Sequence, residues 1–192
     1  MRRRRFQWFL ATLAVKPGAT ILDVGGTEAT WRGSGLESNV TLLNQAYGAT
    51  LPTLRHVTGD ACAMTMFGDS TFDVVFSNSV IEHVGDRRRQ ASFASEVARV
   101  GRRYWVETPY RHFPLEPHAL FPFFQYLPPR MQRGVAQRWK YSHFRRYHKN
   151  VEEELSRLRL LSAGEMKTLF PDARVQFERV LGLPKSVVAY RA

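Results

Sequence analysis

Apolar positions recur along this chain with two different periods. In residues 2–13, Phe6, Phe9, Leu10 and Leu13 stand at i, i+3, i+4 and i+7, which predicts a helix with one apolar face behind an arginine-rich start, stopped by Pro17-Gly18. Residues 20–24, 40–43, 55–58, 72–76 and 104–108 are short apolar runs without clear alternation, the pattern of strands buried on both faces of a parallel sheet. Each run stops at small or polar residues: Gly25-Gly26, Asn44, Gly59-Asp60, Ser77-Asn78-Ser79 and Pro109. Helical spacing returns in residues 89–100, where Phe93, Val97 and Val100 share a face.

Strands alternating with helices imply an open α/β sheet with right-handed crossovers. The end of the chain differs. Residues 174–180 and 186–190 are two β-rich runs joined by Leu181-Gly182-Leu183-Pro184 with no helix between them, so they are expected to close the sheet as an antiparallel hairpin. Ser162 and Glu165 have the spacing of a capping box for the short helix ahead of that hairpin.

At 192 residues the chain is one domain with room for a sizeable core. Its 44% hydrophobic and 12% aromatic content excludes a disordered tail or a collagen-like polymer. A lone cysteine, Cys62, forms no internal disulfide. No apolar run approaches the roughly 20 residues of a membrane span, and the start is too short and interrupted for a secretory signal, so a cytoplasmic protein is expected. The net charge of +11 favours anionic partners, RNA or an anionic membrane surface among them, although a solubilising surface accounts for it equally well.

In open α/β sheets the ligand lies beyond the carboxyl ends of the strands. The turn Asp23-Val24-Gly25-Gly26-Thr27 lacks the glycine spacing that seats a pyrophosphate, and Glu28 stands where it would repel one. A cationic ligand without phosphate suits Asp23 and Glu28 better. S-adenosylmethionine, with a sulfonium and an ammonium group, is such a ligand.

Ile21-Leu22-Asp23-Val24-Gly25-Gly26, Gly59-Asp60-Ala61, residues 72–84 from Phe72-Asp73 to Glu82-His83-Val84, the helix ending Glu96-Val97-Ala98-Arg99-Val100 and the terminal hairpin stand in the order of a known family. In these the chain resembles the class I S-adenosylmethionine-dependent methyltransferases, specifically the small type 11 group. The resemblance implies a Rossmann-like, seven-stranded, mostly parallel sheet with helices on both faces, closed by the C-terminal antiparallel hairpin. It also implies S-adenosyl-L-methionine as cofactor. Asp23, Gly25 and Gly26 would line its methionine part, with Thr27 also at the cofactor and Asp23 ending its strand at the ligand and outside the core. Asn44 would face the ribose, Asp60 and Ala61 the adenine, and Ser77, through its backbone, the amino-acid end, with Gln45 and Asn78 also counted among the cofactor-binding residues. Thr27 and Ala29 stand where the family commonly has glycine, and Asn44 where it has Asp or Glu.

Glu82-His83 follows the fourth strand, within reach of the transferred methyl in this fold. In some relatives an earlier Glu completes a metal site with this pair; here that position is Ser79, so no metal is expected. His83 is then a candidate general base or a residue that merely packs its helix turn. His112 and His118, just past the fifth strand, are alternative bases or solvated loop histidines.

The family pattern gives no guidance for an insertion at about 110–150, expected to cover the acceptor. No acidic residue occurs between Glu116 and Glu152, while Arg130, Arg133, Arg138, Lys140, Arg145, Arg146 and Lys149 alternate with aromatics. Met131, Val135, Trp139, His143 and Tyr147 recur every fourth residue, which predicts one helical stripe. The function expected is methyl transfer to an oxygen or nitrogen of a small aromatic or anionic acceptor. Alternatives are an RNA methyltransferase and a non-catalytic methyltransferase-like binding subunit. Nothing in the sequence defines the oligomeric state.

Overall fold

The computed structural model describes residues 2–46, 54–147 and 150–192, without the side chains of Arg2, Arg146 and Tyr147. Lys149 of the basic stretch and Tyr147 of the stripe therefore lie outside the described residues or side chains. In chain order the elements are α1 (Arg2–Thr12), β1 (Ile21–Val24), α2 (Glu28–Trp31), β2 (Val40–Asn44), β3 (Arg55–Thr58) and β4 (Phe72–Asn78). Then come α3 (Arg87–Val100), β5 (Gly101–Pro109), β6 (Leu115–Glu116), β7 (Phe121–Pro122), α4 (Pro129–Arg138), α5 (His143–Tyr147), α6 (Val151–Arg157), α7 (Ala163–Leu169), β8 (Arg174–Val180) and β9 (Leu183–Arg191).

Seven strands form one sheet in the order β3-β2-β1-β4-β5-β9-β8. β3 through β5 pair in parallel, and β9 runs antiparallel to both β5 and β8, so the hairpin closes the sheet as expected. All of β1 and nearly all of β2 are buried, which is why their sequences carry no alternation. β3 departs from that expectation: it is an edge strand with exposed ends, so its short run mixes Arg55 and His56 with Val57.

The two faces have separate cores. On one, Phe9 of α1, Leu13 in the turn just after it and Trp31 of α2 pack on Phe76 of β4 and Trp105 of β5; Phe9 and Phe76 have ring centroids 4.6 Å apart. On the other, Phe93 and Val97 of α3 and Met166 of α7 pack on Val75 and Val106. Asp86 caps α3, its side chain accepting from Arg89 N at 2.9 Å, a bond that contributes about 1 kcal/mol in such positions. The capping box at α7 is formed by Ser162 and Glu165.

The insertion has a small core of its own, with Ala119, Phe124, Ala136 and Phe144 buried together and Val151, Leu155 and Leu158 packed against them. The expected stripe from Met131 to Tyr147 is not one helix. α4 ends because Trp139 turns to an extended conformation, where its indole N–H donates to Leu120 O at 3.2 Å, and α5 begins afresh at His143. Met131 at the other end of the stripe is 54% exposed.

Candidate active site at the strand ends

The glycine turn after β1 is built on Asp23. This side chain is completely buried, which corrects its expected place outside the core. Trp31 Nε1 donates to its Oδ2 at 2.7 Å, while Oδ1 is buried without a hydrogen-bond partner. Burial pushes the carboxyl up to about 7, against the opposing pull of the Trp31 bond. The backbone folds tightly over it. Gly25 has φ +71°, and a Cβ there would lie 2.5 Å from Val80 Cγ2; a Cβ at Gly26 would lie 1.7 Å from Asp23 Oδ2. Only glycine fits at either place. Thr27 starts α2 without a side-chain cap bond, and its side chain is exposed.

Asn44 ends β2 half-buried, and its Nδ2 donates to Gly26 O at 3.2 Å, so the amide steadies the turn. Gln45 beside it is exposed. Glu28, counted in the sequence reading as a charge near the ligand, has its Oε1 3.1 Å from His56 Nε2 of β3. At the end of β3, Asp60 binds Arg89 of α3 through two bonds of 2.9 Å, and its Oδ1 also accepts from Cys62 N. The Arg89 hydrogen bonds hold this carboxyl below its ordinary range. Ala61 packs on the rim of the core.

At the end of β4, Ser77 is buried and its Oγ donates to Val24 O at 3.3 Å. Asn78 points to the α1 side, where Oδ1 accepts from Arg5 Nη1 at 2.8 Å. The same Nη1 lies 2.8 Å from Glu107 Oε1 of β5, and Arg5 also binds Glu178 of β8. Desolvation raises the pKa of Glu107, opposed by the Arg5 charge. These partners escape sequence reading, although one local signal exists: Glu107 is a charge inside the apolar run of β5.

On the opposite side, a one-turn 3-10 helix over Ile81–His83 carries Glu82 and His83. Glu82 is fully buried; Oε2 accepts from Thr108 Oγ1 at 2.9 Å, and Oε1 has no hydrogen-bond partner. Burial pushes it up to about 7, the His118 charge working against that shift. His83 Nε2 lies 3.0 Å from His118 Nε2, and His118 Nδ1 lies 2.6 Å from Glu116 Oε1. Burial lowers the His118 pKa, but the Glu116 bond and charge outweigh it, so the net shift is upward. His112 stands apart, with Nδ1 2.6 Å from Tyr126 Oη.

The structure thus joins His83 and His118, two of the three candidate bases, and sets Glu116 against His118, a pairing that the sequence does not reveal. His118 also supplies a ligand-type group from outside the Ser79–His83 segment: among the described residues, Glu82, His83 and His118 offer ligand atoms all within 4.8 Å of one another. Ser79 itself donates to Glu107 Oε2 at 3.0 Å.

The family model described as a methyltransferase domain, of the type 11 group, matches residues 33–103. No curated protein matches the chain. Among solved structures, a putative methyltransferase from an antibiotic biosynthesis pathway of Anabaena variabilis superposes with a TM-score of 0.51 at 19% identity, over 70% of this chain and 59% of that one. This chain therefore spans less than two thirds of that relative's length. An S-adenosylmethionine-dependent methyltransferase from Archaeoglobus fulgidus gives 0.60 at 12% identity, covering 100% and 95%. The 1,6-didemethyltoxoflavin-N1-methyltransferase of Burkholderia thailandensis, solved with bound 1,6-didemethyltoxoflavin and S-adenosylhomocysteine, gives a TM-score of 0.60 at 14% identity, covering 98% of this chain and 76% of that one. At such identities the structural likeness carries the fold. Together with the strand order and the family match over residues 33–103, it shows that the chain has the Rossmann-like fold of the class I S-adenosylmethionine-dependent methyltransferases.

Proposed function

We propose that this chain transfers the methyl group of S-adenosylmethionine to an oxygen or nitrogen of a small aromatic or anionic acceptor. One observation supports this most: two sets of buried, incompletely satisfied acidic groups flank the ends of β1, β4 and β5, Asp23 under the glycine turn and Glu82 beside the histidine pair. A buried carboxylate oxygen without a donor is costly unless a ligand supplies one. In this reading the ammonium of the cofactor supplies it at Asp23, with Gly25, Gly26 and Thr27 around the methionine part. Asn44 and Gln45 border the ribose, Asp60 and Ala61 the adenine, and Ser77 and Asn78 the amino-acid end.

The reaction is an in-line displacement at the methyl carbon, so alignment of nucleophile, carbon and sulfur and exclusion of water carry most of the catalysis. An acceptor protonated at working pH also needs a base. His83 fills that role, handing the proton toward His118 and Glu116, and His112 is the more distant alternative. The insertion, with its own core, covers the acceptor.

Isothermal titration with S-adenosylhomocysteine tests the cofactor: a one-to-one heat signal is expected, and none at millimolar concentration overturns the reading. A second acceptor class, RNA, draws support from the exposed Arg130, Arg138, Lys140 and Arg145 around the exposed rings of Phe123, Tyr126 and Tyr141. Affinity for RNA that falls steeply with salt favours it, and absence of binding removes it.

A further inference from the structure

We infer that Glu82, His83 and His118 form a binding site for one divalent transition-metal ion of the zinc or cobalt class. Three features carry this. The two imidazole Nε2 atoms lie 3.0 Å apart, and two nitrogens bound to one tetrahedral ion at about 2.0–2.1 Å each would lie roughly 3.3 Å apart. Glu82 Oε1 is buried with no hydrogen-bond partner and sits 4.0 Å from His83 Nε2, and the three ligand atoms all lie within 4.8 Å of one another. Glu116 Oε1 lies 2.6 Å from His118 Nδ1 and its Oε2 accepts from Ala119 N, which fixes both the ring and its tautomer. Nδ1 then carries the hydrogen and Nε2 presents a lone pair, the arrangement that outer carboxylates impose on metal-ligating histidines.

In the ion-free protein the close Nε2 pair requires a proton between the two rings, because two lone pairs at that distance repel. A cation takes the place of that proton and also meets the orphaned carboxylate oxygen. Two nitrogens and one oxygen match zinc, cobalt or nickel, whereas magnesium and calcium prefer all-oxygen sets. Three protein ligands leave a further coordination position open. The ion and the proton relay are two occupants of one place, so the inference stands or falls on direct binding and is independent of methyl transfer.

The test is titration of the full chain, freed of metal by dialysis against a chelator, with zinc by calorimetry and with cobalt(II) by visible absorption. One ion per chain is expected, with cobalt bands of low-coordinate geometry, and no binding of magnesium or calcium at the same concentrations. His83→Ala and His118→Ala should each weaken binding at least tenfold, with S-adenosylhomocysteine binding retained. Glu116→Gln keeps all three ligands but turns an amide donor toward Nδ1, favouring the tautomer whose Nε2 bears hydrogen, and should weaken binding by about tenfold or more. Failure to bind zinc and cobalt overturns the inference, as does unchanged affinity in a folded His118→Ala protein. Should that variant not fold, unchanged affinity in Glu116→Gln overturns it equally.

Discussion

The side-chain amide of Asn44 donates to the carbonyl of Gly26 at 3.2 Å, so the residue expected to face a ribose also holds the turn that would seat the cofactor. Asn44→Asp replaces that donor with an acceptor and sets a carboxylate against a carbonyl. The lost bond contributes about 1 kcal/mol. In a protein of this size the melting temperature should fall by about 2–4 °C, with no gain in affinity for S-adenosylmethionine. An unchanged melting temperature with tighter binding would show that the side chain serves the ribose alone.

Asp23 gives a pH dependence with a definite sign. Its folded pKa of about 7 lies above the ordinary 3.8, so the folded state binds this proton more tightly than the unfolded chain. The resulting stability is fully present below the ordinary aspartate value and is lost as the pH rises through about 7. Asn at this position keeps an acceptor for Trp31 and removes the buried charge. Melting curves from pH 4 to 8 should therefore fall less steeply for Asp23→Asn, which should be the more stable protein at the alkaline end. Cofactor affinity should drop about ten- to hundredfold, the contribution of a charge-assisted hydrogen bond.

Arg5 neutralises two carboxylates at the far side of the strand ends. Glu107 is 1% exposed, so Arg5→Ala leaves a buried charge without its partner, a change that costs about 3–5 kcal/mol in comparable sites. Arg5→Met combined with Glu107→Gln should recover most of that loss, because neither side chain then needs a countercharge. Urea denaturation of the parent, Arg5→Met, Glu107→Gln and the double variant checks this alongside Arg5→Ala, and additive effects in the double variant would show that the pair is not coupled.

Phe144 tests whether the insertion folds as a unit. Its ring stacks on Phe124 with centroids 6.1 Å apart, inside a core separate from both faces of the sheet. Removing such a ring costs about 3–5 kcal/mol where the site cannot collapse. Hydrogen exchange of Phe144→Ala should therefore rise across α4–α6 while the strands keep their protection and S-adenosylhomocysteine still binds. Loss of protection in β1 and β4 would show that the insertion and the sheet unfold together.

The features legible in the sequence are local. The apolar runs of β1, β2 and β4, the spacing of Phe6, Phe9 and Leu13, the capping box at Ser162 and the closing hairpin are readable because each depends on neighbours a few residues away. Even the glycines after β1 announced a tight turn. Which charged groups meet is set by the packing of distant segments. Arg5 finds Glu178 across 173 residues and His83 finds His118 across 35, and neither pairing leaves a periodic trace. Periodicity also misread α4 and α5, because the Trp139 indole reaching Leu120 O outweighs the continuation of a helical stripe. Hydrophobic burial is set by period along the chain. Polar pairing is instead set by the few ångströms between side chains that the sheet brings together, and a side chain's charge alone does not say whether it meets solvent, a ligand or a distant partner.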